Sequence, residues 1–149
     1  MNLLHIETSG KLCSVAWSTD GEVMFAKTIF EPMSHSAYAG AIAEETLTHM
    51  GGTPPDAVAV SAGPGSYTGL RIGVSMAKGV CYARNAKLLA VPTLQLLCVP
   101  LLLGEKITSD DALLCPMLDA RRMEVYAALY DRALKEVRPV GADIVEADT

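Results

Sequence analysis

The chain of 149 residues lacks the surplus of positive charge that a dedicated nucleic-acid-binding protein shows. Twelve Lys and Arg stand against seventeen Asp and Glu, which gives a net charge of −5. The basic residues are scattered, and only Arg121 and Arg122 are adjacent. Since a protein binds phosphates through a basic patch, any contact with RNA would depend mainly on another subunit.

The sequence also lacks a hydrophobic run long enough for a membrane helix. The stretch 88–104 carries no charge, but it has 17 residues, is interrupted by Pro92 and Pro100, and falls short of the roughly 20 apolar residues that a span needs. Glu7 and Lys11 interrupt any secretion signal at the start. We therefore expect a cytoplasmic protein with no membrane partner.

Metal-ligand spacing is missing as well. No two of the four cysteines have CxxC spacing, and positions four residues after His35 and His49 hold Ala39 and Thr53. A zinc or iron site is therefore not expected. The cysteines lie in apolar stretches and are predicted to be buried free thiols, which fits a reducing compartment. They are Cys13, Cys81, Cys98 and Cys115.

Formal phosphate-binding motifs are absent from the glycine-rich segment 63–69. It has no Gly-Lys-Ser/Thr, its third glycine comes one residue late for GxGxxG, and Pro64 breaks GxSxG. A glycine-rich turn that opens a helix can nevertheless present N–H groups to an anion. The candidate phosphate-binding residues are Gly63, Gly65, Ser66, Thr68 and Gly69. The alternative is a purely structural tight turn.

The acidic residues do not form a complete catalytic set. A nuclease with two metal ions needs several converging carboxylates. Glu7 is well placed on the first predicted strand, but the strand ending at Ser61 carries no acid, and Glu44 and Glu45 are typical of a solvated helix face. Glu7 is also one methylene longer than aspartate, so productive metal geometry is not expected of it.

Hydrophobic periodicity predicts three strands, then helix, strand, helix, strand, helix. Three antiparallel strands extended by two parallel ones through helical crossovers make a five-stranded mixed sheet. This order resembles the ribonuclease-H-like fold, the lobe of actin-like ATPases (the ASKHA group). We expect a first lobe over 1–104 and the beginning of a truncated second lobe over 105–149. The predicted strands are 2–8, 12–19, 22–30, 57–61 and 88–91, and the predicted helices run to about Met50, from about Leu70 to Arg84, and from a Thr93 cap to about Leu103.

Beyond these elements, a hairpin of 113–118 with 123–130 and a strand near 143–146 are predicted. In the second helix, Gly69, Gly73, Ala77 and Cys81 recur every four residues and share one face. Such a stripe of small residues allows close approach of another helix, either from a second subunit or within the chain. The pattern leaves both possibilities open.

Several motifs together resemble the TsaB/YeaZ family. They are Glu7-Thr-Ser9, His35-Ser36, the segment from Gly63 to Gly73 with Ala77-Lys-Gly79, and Asp119-Ala-Arg121 with Glu124-Val-Tyr126. The resemblance spans Met1 to about Tyr130. The family usually has Asp where Glu7 stands, and its members are longer.

The resemblance implies a non-catalytic partner subunit without its own active site. Such a subunit dimerises with TsaD, the relative that transfers threonylcarbamoyl to the adenosine beside the anticodon of tRNAs reading codons that begin with A. It also implies TsaE as a further partner, homodimers, tRNA contact only through the complex, and possible ATP or ADP at a subunit boundary. The alternative is a metal- or nucleotide-dependent enzyme of the same superfamily, a glycoprotease-like peptidase or a phosphotransferase.

By the same resemblance, an interface is expected on the first-lobe helices. Its residues would be His35, Tyr38, Leu70, Arg71, Gly73, Val74, Ala77 and Cys81. His35 matches the first histidine of TsaD's metal motif, but Ala39 stands where the motif has its second histidine.

Overall fold

The structure is a computed structural model in which the described part of the chain forms eight strands and three helices. The side chains of residues 35–37 lie outside that description. None of the described helices is both long and apolar enough to span a membrane. The described residues are 1–30, 35–104, 107 and 109–146.

The first three strands are antiparallel neighbours joined by short turns. β1 (Asn2–Glu7) pairs with β2 (Cys13–Thr19), and β2 pairs with β3 (Glu22–Ile29). Asp20 and Gly21 between β2 and β3 both have positive φ, the conformation that favours Asp-Gly in a two-residue hairpin. The alternating sequence therefore places these strands as predicted.

Two parallel strands extend this sheet on the other side of β1. β4 (Ala57–Ser61) pairs with β1, and β5 (Lys87–Val91) pairs with β4. The sheet order is β3-β2-β1-β4-β5. The predicted five-stranded mixed sheet and the ribonuclease-H-like fold class are thus confirmed.

Two helices pack on one face of the sheet and enclose the core. They are α1 (His35–His49) and α2 (Tyr67–Arg84). α2 begins three residues before the predicted start because Ser66 accepts a hydrogen bond from the Gly69 N–H and caps the helix there. The buried core side chains include Leu4, Ile6, Val15, Trp17, Ile42, Val58, Val60 and Ala77.

β5 departs from its prediction as a buried strand. Four of its five residues are exposed, among them Leu88 and Leu89. The reason is its position: it is the last strand in the sheet order, whereas β4 has a neighbour on both sides. A short apolar run does not reveal which strand will lie at the edge.

Contacts divide the chain into two compact units, Met1–Val91 and Pro92–Thr149. The predicted lobe boundary between residues 104 and 105 stays a prediction. In the second unit, α3 (Thr93–Leu103) packs through Leu94 and Cys98 on an antiparallel sheet of order β6-β7-β8. Its strands are β6 (Met117–Arg121), β7 (Glu124–Tyr130) and β8 (Glu136–Ile144).

Three predictions in this unit were wrong in detail. Thr93 is the first residue of α3 rather than its cap, and the N-cap residue is Pro92, which makes no side-chain capping hydrogen bond. The first hairpin strand is 117–121 rather than 113–118, because the chain reverses at Arg122 and Met123. β8 is nine residues long, and its Pro139 and Gly141 obscured the strand pattern in the sequence.

Candidate functional site: the glycine-rich turn and the outer face of the first two helices

The Glu7 carboxylate lies at the edge of the sheet where β1 and β4 end. These strands are parallel neighbours, so Glu7 and Ser61 finish at the same edge. One carboxylate oxygen accepts the Ser9 N–H at 2.6 Å and the Ser9 hydroxyl at 2.5 Å. The other oxygen accepts the Ser61 hydroxyl. Glu7 therefore ties the first turn to the end of β4.

The glycine-rich turn rests directly on that first turn. The Ser66 N–H donates to the Ser9 carbonyl at 2.6 Å. A Cβ on Gly65 would lie 2.5 Å from the Ser9 carbonyl oxygen and 2.9 Å from its Cβ, so only glycine allows this approach. The turn is held by backbone contact, which is the structural role that the sequence left as an alternative.

This packing bears on phosphate and metal binding. Among the predicted phosphate ligands, the N–H of Ser66 is bonded to Ser9, and that of Gly69 is bonded to the Ser66 hydroxyl. Within the described residues, no group of three His, Cys, Asp or Glu could hold a metal ion. The residues thus fit a phosphate–metal site poorly. The phosphate-binding role of this set, which includes Gly63 and Thr68, stays a prediction. The binding of a nucleotide stays a prediction as well.

The stripe of small residues on α2 packs on the chain's own sheet. The Thr8 hydroxyl donates to the Gly69 carbonyl at 2.7 Å and is buried. A Cβ on Gly73 would come closer than 3.0 Å to that hydroxyl and within 3.6 Å of Ile6. Ala77 is fully buried. Within the chain, Gly73 thus faces Thr8 and Ile6, and Ala77 lies in the buried core. The predicted place of these two residues at a subunit interface stays a prediction.

The other predicted interface residues are more accessible. Tyr38 and Arg71 are exposed, and the Arg71 guanidinium lies 5.5 Å from the centroid of the Tyr67 ring. Leu70, Val74 and Cys81 are half-buried. The side chain of His35 lies outside the described residues, so nothing is added to its prediction.

A groove between α1 and α2 is a second candidate surface. Gly40 is exposed, and a Cβ there would meet no atom within 4 Å. Among the described residues, the lining includes none of the predicted interface set. The lining residues are Gly40, Ala43, Glu44, Leu47, Thr48, Gly52, Met76, Val80 and Arg84.

The sequence did carry a signal for this groove. Gly40, Glu44 and Leu47 are spaced by four and three residues on α1, and Met76 and Val80 by four on α2. Such spacing places side chains on one helix face. This signal is weaker than the glycine and alanine stripe of α2, which recurs strictly every four residues.

The thiols divide by location. All four cysteines are free, Cys13 and Cys98 are buried, Cys81 is intermediate, and Cys115 is exposed. Burial raises the pKa of the Cys13 and Cys98 thiols. The prediction of buried thiols is thus wrong for Cys115, which follows Leu114 just before β6.

Comparisons with known proteins identify the family. The protein-family model described as "TsaD: tRNA N6-adenosine threonylcarbamoyltransferase" matches residues 32–147. The Bacillus subtilis "tRNA threonylcarbamoyladenosine biosynthesis protein TsaB" is 33% identical over 87% of this chain and 55% of its own length. The Escherichia coli protein of the same name is 33% identical over 89% of this chain and 56% of its own length.

Solved structures agree with these sequence matches. A Pseudomonas aeruginosa crystal structure, described as a protein similar to peptidase YeaZ, aligns with a TM-score of 0.83 and 25% identity over 98% of this chain and 68% of that one. This chain spans about half the length of the curated relatives it matches. It belongs to the TsaD family of domains, in which its relatives are the TsaB/YeaZ proteins.

Proposed function

We propose that this chain is a partner subunit in the synthesis of threonylcarbamoyladenosine in tRNA. It would pair with a TsaD protein and raise that protein's transferase activity on the adenosine beside the anticodon, in the cytoplasm. The observation that carries the proposal is the similarity to proteins named for this biosynthesis over nearly nine tenths of the chain. The match to the TsaD domain model supports pairing between related lobes.

The chain's own role in this proposal is structural rather than catalytic. Both carboxylate oxygens of Glu7, at the end of β1, accept hydrogen bonds. The donors are the hydroxyls of Ser9 and Ser61 and the backbone N–H of Ser9. A carboxylate used in this way stabilises two turns. It supports an accessory subunit better than the alternative of a peptidase or phosphotransferase.

The groove between α1 and α2 is the proposed surface for TsaD. Leu47, Met76 and Val80 give it an apolar lining, and Glu44 and Arg84 add charges of opposite sign. A groove of this kind suits an amphipathic helix, whose apolar face fills it while its polar residues meet the charges. A second copy would compete for the same groove, and TsaE would join the TsaD complex afterwards.

A pair of glycine variants tests this surface. Gly40→Leu fills the groove, whereas Gly79→Leu adds the same side chain to an exposed position of α2 outside the groove lining. Both replacements favour helix formation, so both variants should fold. Size-exclusion chromatography with light scattering, alone and with TsaD from the same source, measures complex formation. Threonylcarbamoylation of a tRNA transcript measures activity.

We expect a 1:1 complex with TsaD and stimulated modification for the wild-type chain and for Gly79→Leu. Gly40→Leu should lose both while keeping its circular dichroism spectrum. Equal binding by the two variants would refute the groove as the surface. A folded wild-type chain that neither binds nor stimulates TsaD, or that alone hydrolyses peptides or nucleotides, would refute the proposed function.

A further inference from the structure

The tip of the β6–β7 hairpin has an unusual backbone. Arg121 pairs with Glu124, so Arg122 and Met123 form a two-residue turn. All three residues before Glu124 have positive φ, at 69°, 55° and 62°. Turns of this type normally use Asn-Gly, since other side chains strain the backbone there. This chain instead carries two arginines and a methionine.

The fold holds this strained tip from both sides. The Asp119 carboxylate accepts the Arg121 N–H at 2.7 Å, and the Val145 N–H donates to the Met123 carbonyl at 2.7 Å. The side chains themselves point away from the core: both arginines are exposed, and Met123 is 70% exposed. Packing within the chain therefore does not explain why these residues occupy strained positions. Backbone strain of this kind clusters at functional sites, which favours a contact with a binding partner.

The positive charge at the tip is not neutralised by a described acidic side chain. Within the described residues, neither Arg121 nor Arg122 has an ion pair. In the same unit, Arg132 pairs with Asp110, and Arg138 pairs with Asp143. The tip therefore presents two adjacent guanidinium groups in a chain that is acidic overall. A guanidinium presents a planar fork of N–H donors that matches the oxygens of a phosphate.

We propose that Arg121 and Arg122 contact the phosphate backbone of the tRNA on which the assembly acts, and that Met123 packs against the sugar or base beside it. This inference rests on the proposed function, in which tRNA is the polyanion bound during each reaction. The tip lies at one end of the three-stranded sheet β6-β7-β8, and some nucleic-acid-binding proteins contact their target through a sheet. With only two guanidiniums, the tip orients tRNA already held by the partner.

The decisive variant separates strain from function. Arg121→Asn with Arg122→Asn removes both charges and places at both positions a residue that tolerates positive φ. Arg121→Lys with Arg122→Lys keeps the charges. Lys87→Asn with Lys135→Asn removes two exposed charges elsewhere. Each chain is assembled with TsaD, and fluorescence anisotropy measures affinity for an unmodified tRNA transcript between about 50 and 200 mM salt.

The asparagine double variant should still bind TsaD, and its melting temperature should equal that of the wild type or lie a few degrees higher. Its tRNA affinity should fall roughly tenfold, and the slope of log K against log salt should lose about 1–2 units, because two phosphate contacts disappear. The lysine pair should retain most of the slope, and the Lys87/Lys135 pair should match wild type.

Three results would overturn the inference alone. One is an asparagine pair with unchanged affinity and slope, and another is an equal loss in the Lys87/Lys135 pair. The third is loss of TsaD binding by the asparagine pair, which would identify an acidic protein surface as the target. A wild-type chain that forms no assembly would instead overturn the proposed function, and this inference with it.

Discussion

Replacing Gly73 by alanine should destabilise the first unit, although alanine is the better helix former. A Cβ at this position would lie closer than 3.0 Å to the Thr8 hydroxyl and 3.4 Å from the Thr8 Cβ. Thr8 cannot easily yield, since it is buried, β-branched, and bonded to the Gly69 carbonyl at 2.7 Å. The substitution therefore either strains the contact between α2 and β1 or breaks a buried hydrogen bond.

The magnitude follows from two opposing effects. Overpacking costs about 1–3 kcal/mol, and the gain in helix propensity returns at most about 1 kcal/mol. We expect a net loss of about 1–2 kcal/mol, which lowers the melting temperature by roughly 2–8 °C for a chain of this size. Gly79→Ala in the same helix meets no atom within 4 Å and should instead gain about 0.5–1 kcal/mol.

Urea unfolding followed by the fluorescence of Trp17 measures both variants. This is the chain's one tryptophan, and it is fully buried in the first unit, so its signal reports that unit. Removing the hydroxyl with Thr8→Ala should reduce the cost of Gly73→Ala, which a double-mutant cycle would reveal as coupling. A Gly73→Ala variant as stable as Gly79→Ala would refute the assignment of this stripe to the β1 contact.

Three further predictions concern the same fold. Glu7→Gln replaces one carboxylate oxygen by an NH₂ donor at a place where the hydroxyls of Ser9 and Ser61 already donate. We therefore expect the free energy of unfolding in urea to fall by about 1–2 kcal/mol. An unchanged midpoint would contradict the proposed role of Glu7. Burial lowers the pKa of His5, whose ring bonds to a serine hydroxyl; the unfolded state then binds more protons, so stability should fall as pH drops below about 6.5. His5→Asn should flatten that part of the pH profile, and parallel profiles would refute the effect. In the native protein, iodoacetamide should modify Cys115 before Cys13 and Cys98, which are buried and whose thiol pKa values burial raises; early modification of the buried pair, read by mass spectrometry, would contradict this.

The local sequence predicted most elements of the first unit correctly. Alternating side chains and the Asp20-Gly21 turn place β2 and β3, and small or capping residues place α2 to within three residues. These signals act between residues close in the chain, where spacing alone decides which side chains share a face. The second unit carries weaker signals, and Pro139 and Gly141 concealed most of β8.

The family resemblance was also readable from the sequence. The segment from Gly63 to Gly73 carries it, and glycine is required there by close backbone approach at Gly65 and at Gly69. Contacts of this kind disfavour any side chain, so they leave a glycine pattern that can be recognised without coordinates.

The surface that each helix face meets was decided by the tertiary structure. Spacing shows that Gly69, Gly73 and Ala77 form one stripe, but the neighbour of Gly69 and Gly73 is Thr8, which lies 61 positions before Gly69. No local pattern distinguishes a strand of the same chain from a helix of a partner, because both accept small residues equally well. The exposed edge at β5 and the groove beside Gly40 likewise follow from which elements lie next to each other.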